Sequence, residues 1–315
     1  MEKLRIVFMG TPEFAVASLR ALVESGANVV GVVTMPDKAI GRHHDTLQSS
    51  PVKQYAVSQG LPVLQPVRLK DEVFGDELRA LRPDLAVVVA FRMLPECVWQ
   101  LPRLGTINLH AALLPQYRGA APINWAVING DRETGVTTFF LKHAIDTGDI
   151  IYSRSTPITD DDTAGTVHDR LMGIGAELVV ETVCAIAAGT APQQPQPEVA
   201  DLRPAPKIFK ETCRIDWSQP ARSVFNFVRG LSPYPAAWTV IDDGAKHTEL
   251  KIFRTRLVPP LPGVPVGTVD TTEGFTVALA DGALRVEELQ AAGRRRMSAA
   301  DFVRGLHTGG VLRVE

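Results

Sequence analysis

The feature that most restricts the fold of this sequence is an alternation of short apolar runs with helix-like stretches over residues 1–155. Arg5–Met9, Val29–Thr34 and Leu85–Ala90 are almost continuously apolar and rich in β-branched residues, as in strands buried on both faces of a parallel sheet. Phe14–Glu24 has the spacing of an amphipathic helix, and Gly26 follows its end. Strands alternating with helices predict an α/β domain built on a parallel sheet.

The same rhythm continues with two more strands, at Thr106–His110 and Val136–Leu141, and two more helices, at Val73–Leu81 and Ile123–Ile128. Residues 35–52 interrupt it, because they contain Pro36, Gly41 and Pro51 and show no hydrophobic period. We expect an irregular loop there. A loop of this length inside an α/β domain is either functional or disordered.

The second half of the chain has a different pattern. A helix is predicted over Thr163–Ala188, and residues 189–207 contain five prolines, which is typical of a linker. Helices are predicted around Ala221–Arg229 and Ser298–Gly305. Short strands with turn signals between them predict a small β-barrel, at Trp238–Ile241, Glu249–Val258, Val266–Asp270, Phe275–Ala280 and Leu284–Leu289. We therefore expect a first domain at 1–189, a linker at 190–206 and a second domain at 207–315.

Composition excludes several classes of protein. A chain that is 45% hydrophobic and 22% charged can bury a core, so wholesale disorder is excluded. Unbroken apolar runs such as Leu85–Phe91 are far shorter than the ~18 residues of a membrane span, and the N-terminus lacks the pattern of a signal peptide. Cys97, Cys184 and Cys213 form neither a disulfide framework nor a metal motif, so we expect a cytoplasmic protein. Net charge is −2, but residues 205–315 carry 15 Lys and Arg against 12 Asp and Glu, which permits a local basic face.

The strongest local signal for chemistry is at Asn108 and His110. These side chains share one face of a predicted strand, at its carboxyl end, where open α/β sheets bind ligands. A buried parallel strand is normally apolar on both faces, so two polar residues here are unusual. They are either hydrogen-bonded edge residues or functional groups aimed at one point.

Asp146 lies in a second polar segment, Ile145–Ile150, whose Asp-Thr-Gly is also a common turn. A carboxylate beside an imidazole would orient it and favour its charged form, but spacing does not show whether Asp146 meets His110. Between them, residues 113–122 form a proline-containing loop directly after His110, which by itself is equally consistent with a simple strand-to-helix connection.

Other motifs are missing from the sequence. Gly10–Glu13 follows the first strand without a GxGxxG fingerprint, and there is no P-loop and no GxSxG turn. The histidines at 43, 44, 143, 168, 247 and 307 have no metal-ligand spacing. An Asn, a His and an Asp without a metal indicate group transfer to an external nucleophile.

The chain resembles the methionyl-tRNA formyltransferases, which belong to the 10-formyltetrahydrofolate-dependent formyltransferase family. The pattern NxHxxLLPxxRGAxPI followed by DTG is specific for users of this folate, and the opening MGTPEFA and the later IDW narrow the resemblance to the tRNA enzymes. Six segments carry it over nearly the full length: VFMGTPEFAV at 7–16, PDKAIGR at 36–42, LQSSPVK at 47–53, NLHAALLPQYRGAAPI at 108–123, ETGVTTFFLKHAIDTGDI at 133–150 and KIFKETCRIDW at 207–217.

This resemblance implies a Rossmann-like first domain that binds 10-formyltetrahydrofolate and an OB-like barrel that helps to hold the tRNA. Asn108, His110 and Asp146 match the catalytic residues of the family, without a metal. The folate-contacting segment corresponds to Ala112, Leu113, Leu114 and Pro115. The 35–52 loop matches an insertion that reaches the acceptor end of initiator tRNA, with Lys38 and Arg42 as its cations.

In the second domain we expect tRNA contacts from Lys207, Lys210, Lys251 and Arg254, the last two near strand edges of the barrel. Any single cation there is equally consistent with a solvated surface. The wider set that makes this half positive also includes Arg214, Arg229, Arg256, Arg294, Arg295 and Arg296.

Two features depart from the family pattern. Ala112 replaces the usual Ser, which matters only if the pterin is held through that hydroxyl. His43, His44 and Asp45 stand where the insertion is often richer in Lys and Arg, so its contribution to phosphate binding is expected to be weaker.

The implied reaction is transfer of a formyl group from the folate to the free amine of methionyl initiator tRNA, by an enzyme expected to be monomeric. A formyltransferase for an amino-sugar nucleotide would share the same three residues and remains the alternative. A folate hydrolase, a non-catalytic RNA-binding protein and an NAD-dependent oxidoreductase fit the sequence less well. The long 35–52 loop and the basic second half favour tRNA.

Overall fold

The computed structural model describes residues 3–40, 46–244, 246–306 and 311–315. Its helices are α1 (Glu13–Glu24), α2 (Pro51–Ser58), α3 (Glu72–Ala80), α4 (Glu96–Trp99), α5 (Pro122–Ile128), α6 (Ala164–Ala188), α7 (Ala221–Leu231) and α8 (Ala299–Arg304), with a 3₁₀ turn at Glu211–Cys213. Its strands are β1 (Ile6–Gly10), β2 (Val29–Val33), β3 (Lys38–Ile40), β4 (Thr46–Gln48), β5 (Val63–Leu64), β6 (Leu85–Val89), β7 (Thr106–His110), β8 (Glu133–Phe140), β9 (Ile150–Pro157), β10 (Ala237–Asp242), β11 (His247–Val258), β12 (Val269–Asp270), β13 (Phe275–Ala278), β14 (Ala283–Ala291), β15 (Met297–Ser298) and β16 (Arg313–Val314).

The first sheet has seven strands in the order β5-β2-β1-β6-β7-β8-β9. The pairs from β5 to β7 are parallel, and β8 runs antiparallel to β7. Every residue of β1 and β6 is buried, which explains why these strands are apolar on both faces. The predicted α/β class with a Rossmann-like, mainly parallel sheet is confirmed.

Residues 35–52 are more regular than the sequence analysis predicted. The strands β3 and β4 form an antiparallel pair with Lys38 opposite Gln48, and α2 begins at Pro51 with Ser50 accepting a hydrogen bond from the Lys53 amide. The expectation of an irregular loop was therefore wrong for these residues. Strands of three residues are too short to show a hydrophobic period. Residues 41–45, and with them Arg42, lie outside the described residues.

The second sheet is antiparallel, in the order β12-β13-β14-β11-β10-β16, with β15 paired to β14. It closes on itself, because a bridge joins Thr268 to Arg313 and the Val269 amide donates to the Leu312 carbonyl. The interior is filled by side chains that include Leu250, Phe275 and Leu289. The predicted OB-like barrel is confirmed.

The chain divides into two compact units, and the second gathers separate stretches of sequence. Unit 1 consists of 1–119, 135–156 and 168–204, and unit 2 consists of 120–134, 157–167 and 205–315. Within unit 2, helix α5 packs on α7, where the Asn124 side chain donates to the Gly230 carbonyl. A Cβ at Gly230 would lie 2.5 Å from Cγ1 of Ile128, so the approach of the two helices requires glycine. The boundaries at 189 and 207 inferred from composition remain a prediction.

Helix α6, with 25 residues, is long and apolar enough by composition to cross a membrane. It also has the features of a core helix of a globular protein. Leu171, Leu178 and Val183 are buried, and Thr182 is hydrogen-bonded to Thr138 at 2.8 Å. Glu181, near its middle, pairs with Arg154. The core helix of a soluble protein passes the same length and composition test.

Candidate active site

Strand β7 carries the two polar residues singled out in the sequence. It lies between β6 and β8, with Asn108 opposite Phe139 and His110 opposite Thr137. Ile107 and Leu109 are buried, so the polar character is confined to the face that carries Asn108 and His110. This places both at the carboxyl end of a parallel strand, where ligands bind in such sheets.

His110 is held in a defined orientation. Its side chain is only 6% exposed, and its Nε2 lies 2.8 Å from the Tyr117 carbonyl oxygen. A carbonyl only accepts hydrogen bonds, so Nε2 carries a proton and donates it. The other ring nitrogen, Nδ1, lies 3.8 Å from Oδ2 of Asp146. An imidazolium would donate from both nitrogens, from Nε2 to the carbonyl and from Nδ1 toward the carboxylate.

Asp146 is brought to His110 by a tight turn. Its backbone has φ of +53°, and its Oδ2 accepts a hydrogen bond from the Gly119 amide at 3.0 Å. A Cβ at Gly148 would lie 1.5 Å from the Phe140 carbonyl oxygen, so the Asp-Thr-Gly sequence meets a steric requirement. The 3.8 Å separation from His110 is an ion-pair distance and is too long for a hydrogen bond.

Asn108 differs from its two neighbours in having no assigned partner. Its side chain is half-buried, and its amide makes no hydrogen bond to any described residue. An amide that is fixed on a strand and has unused donors suits the binding of an oxygen atom from a ligand. The structure therefore brings His110 and Asp146 into contact, with Asn108 two residues away on the same strand face.

The segment expected to contact folate is fixed through its backbone. The Thr137 hydroxyl donates to the Ala112 carbonyl at 2.7 Å and accepts from the Leu114 amide at 3.2 Å. Ala112 is 0% exposed, Leu114 and Pro115 are buried and Leu113 is half-buried. A side chain at 112 therefore faces the protein interior, which limits what the usual Ser hydroxyl could reach.

Gln196, in the proline-rich stretch, is a site residue that the sequence analysis missed. Its Nε2 donates to the carbonyl oxygens of Asp146 at 2.7 Å and Gly148 at 2.9 Å. Its Oε1 accepts from Nε and Nη2 of Arg118, at 3.1 and 2.6 Å. In the sequence, Gln196 belongs to a stretch with the composition of a linker. That composition gave no indication that its side chain contacts the Asp146 turn.

The cations expected at the tRNA are found in different settings. Lys38 is exposed on β3, whereas Lys207, Lys210, Lys251 and Arg254 belong to unit 2. Strand β11 is paired with β10 and β14, so the expectation that Lys251 and Arg254 lie near strand edges was wrong. Arg254 is exposed and pairs with Glu287 at 2.9 Å.

Arg229 does not belong to the exposed cations. Its guanidinium is buried on α7, where it donates to the carbonyls of Thr159 and Asp162 and to the Asn226 side chain. Burial lowers the pKa of Arg229, but a guanidinium stays charged at neutral pH. Including Arg229 in the positive surface was wrong, since sequence alone does not separate a buried cation from an exposed one.

An aromatic residue completes the basic face of the barrel. Trp238 lies opposite Lys251 in the β10–β11 pair, and the Lys210 ammonium and the Arg214 guanidinium each lie 5.6 Å from its ring centroid. We call Lys210, Arg214, Trp238 and Lys251 the basic-aromatic cluster. Trp238 was missed, because its strand β10 carries no Lys or Arg and the cations beside its ring come from other parts of the chain. An aromatic ring among cations suits the stacking of a nucleic-acid base.

Potential metal ligands converge at one other place in the described part of the chain. Asp242, His247 and Glu315 offer ligand atoms within 4.8 Å of one another. His247 and Glu315 are exposed, and exposed acidic groups of this kind are common without an ion. This group belongs to unit 2 and contains none of the residues described around His110.

Comparison with known proteins assigns the family. Residues 4–183 match the model of the formyl transferase family, and residues 207–307 match that of the formyl transferase C-terminal domain. A methionyl-tRNA formyltransferase of Parabacteroides distasonis is 63% identical over 96% of each chain. One from Phocaeicola vulgatus is 59% identical over the full length of both.

Solved structures share the fold at lower identity. An N-formyltransferase from Helicobacter canadensis, in complex with folinic acid and dTDP-3-aminofucose, has a TM-score of 0.67 at 19% identity, covering 90% of this chain and 99% of its own. HypX from Aquifex aeolicus, in complex with tetrahydrofolic acid, has a TM-score of 0.61 at 21% identity over 95% of this chain. The match covers 47% of HypX, so this chain spans about half its length. Together with the two domain matches and the high identity to full-length relatives, these findings establish that the chain belongs to the formyl transferase family.

Proposed function

We propose that this enzyme transfers the formyl group of 10-formyltetrahydrofolate to the α-amino group of methionyl initiator tRNA in the cytoplasm, acting as a monomer. The observation that carries the proposal is the convergence of His110 and Asp146 beside the Asn108 amide, which has no hydrogen-bond partner among the described residues. Relatives that carry the methionyl-tRNA formyltransferase name over nearly the whole chain support the choice of acceptor.

The residues around the site fit a formyl-folate substrate. Transfer of a formyl group passes through a tetrahedral centre with a negatively charged oxygen, which needs hydrogen-bond donors. Asn108 offers an amide with free donors, and His110 offers Nδ1–H when the ring is charged. The loop after His110 also carries two apolar side chains, those of half-buried Leu113 and buried Leu114.

The chemistry requires a neutral amine as nucleophile. A free α-amino group has a pKa of about 7.7–8, so a substantial fraction is neutral near pH 7.5. The amine forms a bond to the formyl carbon, and the bond from that carbon to the folate nitrogen then breaks. One proton leaves the amine and one arrives on the folate nitrogen, so the balance requires no redox partner.

Asp146 is the group best placed to receive or relay the amine proton. Its Oδ2 already accepts from the Gly119 amide and lies 3.8 Å from Nδ1 of His110. The carbonyl of Tyr117 keeps Nε2 occupied, which leaves Nδ1 as the ring nitrogen that participates. His110 then stabilises the developing oxyanion, with Asn108 as the second donor.

We assign the binding of tRNA to cations on both units, with Lys38 and Arg42 near the acceptor end and Lys207, Lys210, Lys251 and Arg254 in unit 2. Lysine and arginine that contact phosphates displace counterions, which makes affinity depend on salt. In the basic-aromatic cluster, Trp238 adds a ring on which a base can stack.

The experiment compares formyl transfer from 10-formyltetrahydrofolate to three acceptors with the purified chain: methionyl initiator tRNA, elongator methionyl-tRNA and an amino-sugar nucleotide. We expect rapid transfer to the initiator tRNA alone. Transfer to the sugar nucleotide with none to tRNA would overturn the proposal in favour of the amino-sugar reaction. The Asp146→Asn variant, which lacks the carboxylate charge, serves as the low-activity control for each acceptor.

A further inference from the structure

The proline-rich stretch around Gln196 contacts the site at several points within unit 1. The backbone of Gln194 exchanges two hydrogen bonds with Ile150, at 2.8 and 3.0 Å, directly after the Asp146 turn. The Arg203 carbonyl accepts from the Tyr117 amide at 2.7 Å, and the Tyr117 carbonyl is the acceptor for His110. The stretch is therefore anchored beside both polypeptide segments that hold the catalytic pair.

The side chain of Gln196 joins these two segments directly. Both of its N–H groups are used, one for the Asp146 carbonyl and one for the Gly148 carbonyl. Its oxygen accepts two bonds from Arg118, whose neighbour Gly119 donates to the Asp146 carboxylate. Carbonyls on one side and a guanidinium on the other admit only one orientation of this amide.

The turn that carries Asp146 needs such support. A φ of +53° at a non-glycine residue is a strained backbone conformation, and it persists only where surrounding contacts impose it. The Gly119 amide holds the carboxylate end of Asp146, while Gln196 holds its backbone carbonyl. Without Gln196, Asp146 would keep the Gly119 contact to its carboxylate and lose the contact to its backbone carbonyl.

We propose that Gln196 is a positioning residue, whose side-chain amide locks the Asp146 turn to the Arg118 segment and so fixes the Asp146 carboxylate relative to His110. The inference rests on the proposed function, in which the position of the Asp146 carboxylate affects the reaction. Gln196 does not touch the reacting atoms. A displacement of a catalytic group by about 1 Å can cost roughly 100-fold in rate, so loss of this lock lowers kcat rather than substrate binding.

Two variants of Gln196 separate the parts of the lock. Gln196→Ala removes all four hydrogen bonds. Gln196→Glu retains an acceptor for Arg118 but places a carboxylate against two carbonyl oxygens, and it decides the matter if the alanine variant fails to fold. Gln193→Ala is the matched control, because Gln193 is exposed on the same stretch and its side chain makes no hydrogen bond to a described residue.

We expect Gln196→Ala and Gln196→Glu each to lower kcat by about 10- to 100-fold, with KM for folate and for tRNA within about twofold. Gln193→Ala should stay within twofold in all three parameters. In an Asp146→Asn background, Gln196→Ala should cause little additional loss, because residues acting as a unit are not additive. A kcat within twofold of the parent, or a full additional loss beside Asp146→Asn, would overturn the proposal.

Hydrogen–deuterium exchange gives a measurement that does not depend on the reaction. Peptides covering residues 116–120 and 143–149 should exchange faster in Gln196→Ala than in the parent and in Gln193→Ala. Unchanged exchange in both peptides would refute the lock. If the parent transfers no formyl group to tRNA, the proposed function fails, while this measurement still decides whether Gln196 holds the two segments.

Discussion

The surroundings of His110 and the basic face of the barrel use charge in opposite ways. The His110 and Asp146 side chains are 6% and 12% exposed and each has a hydrogen bond to the backbone, whereas the Lys210 and Arg254 side chains are 66% and 71% exposed. In the proposed reaction, chemistry at a carbonyl carbon needs donors at fixed positions, so we expect the loss of either group to be severe. Attraction to a polyanion needs only the right sign of charge, so each cation contributes a small share.

The sharpest test of this contrast is His110→Ala. Loss of a fixed donor should lower kcat by about 10²–10³-fold, while affinity for tRNA stays within about twofold. Steady-state kinetics and tRNA binding should be measured on the same preparation. His143→Ala is the control, since this exposed imidazole lies three residues before Asp146. Near-normal turnover of His110→Ala would remove it from the mechanism.

Arg229→Ala tests whether a buried cation contributes more to the stability of the fold than an exposed cation of the same charge. Its removal takes a guanidinium donor from the Thr159 and Asp162 carbonyls and from the buried Asn226 side chain, so we expect a loss of about 2–4 kcal/mol in the free energy of unfolding. Denaturant titration measures this. On the same helix, exposed Arg222 pairs with Asp160, and Arg222→Ala should cost less than about 1 kcal/mol. Equal losses of unfolding free energy in Arg229→Ala and Arg222→Ala would contradict the distinction between buried and exposed cations.

Neutralising two cations of strand β11 should have a smaller, electrostatic effect. The double variant Lys251→Gln, Arg254→Gln should raise KM for tRNA a few-fold without changing kcat. Each lost phosphate contact reduces the slope of log affinity against log salt by about 0.7–0.9. Arg304→Gln, on α8, is the control for the loss of one positive charge elsewhere in unit 2. An unchanged slope would exclude phosphate contacts by this pair.

The smallest effect concerns another fixed carboxylate of unit 1. The Arg5 backbone amide, with the Arg103 guanidinium, holds the pKa of Asp84 below its usual value. A depressed folded-state pKa contributes stability above the unfolded pKa of about 3.9, and that stability is lost as pH falls through the folded value. Asp84→Asn should lower Tm by about 2 °C at pH 7 and by progressively less below pH 4. A difference in Tm between Asp84→Asn and the parent that does not change with pH would contradict a role for the charge of Asp84.

The helices and strands that could be predicted from the sequence are those that are long or strongly buried. Helix α1 and strands β1, β2 and β6 are long or strongly apolar, and their predicted positions agree with the structure within one or two residues. The pair β3–β4 and strand β9 were not predicted. The first is very short, and the second runs through polar residues such as Arg154 and Ser155, for which local pattern gives little signal.

Within the candidate site, the residue types were predictable and their connections were not. Asn108 and His110 are two apart on a strand, so their shared face follows from the strand period. Asp146 was identified as a candidate, but its 3.8 Å approach to His110 depends on tertiary structure. Gln196 is 50 residues from the turn it holds, and no local pattern encodes a contact over that separation.

The packing of α5 on α7 has a consequence for synthesis on the ribosome. Asn124 and its acceptor Gly230 are 106 residues apart, so α5 emerges well before its partner exists. At about 5–20 residues per second, this helix waits roughly 5–20 s before it can complete its native contacts. During that interval its apolar face is available to chaperones and to neighbouring nascent chains. Slow codons between positions 130 and 230 would lengthen the exposure, and a stop codon in that interval would leave the helix permanently without its partner.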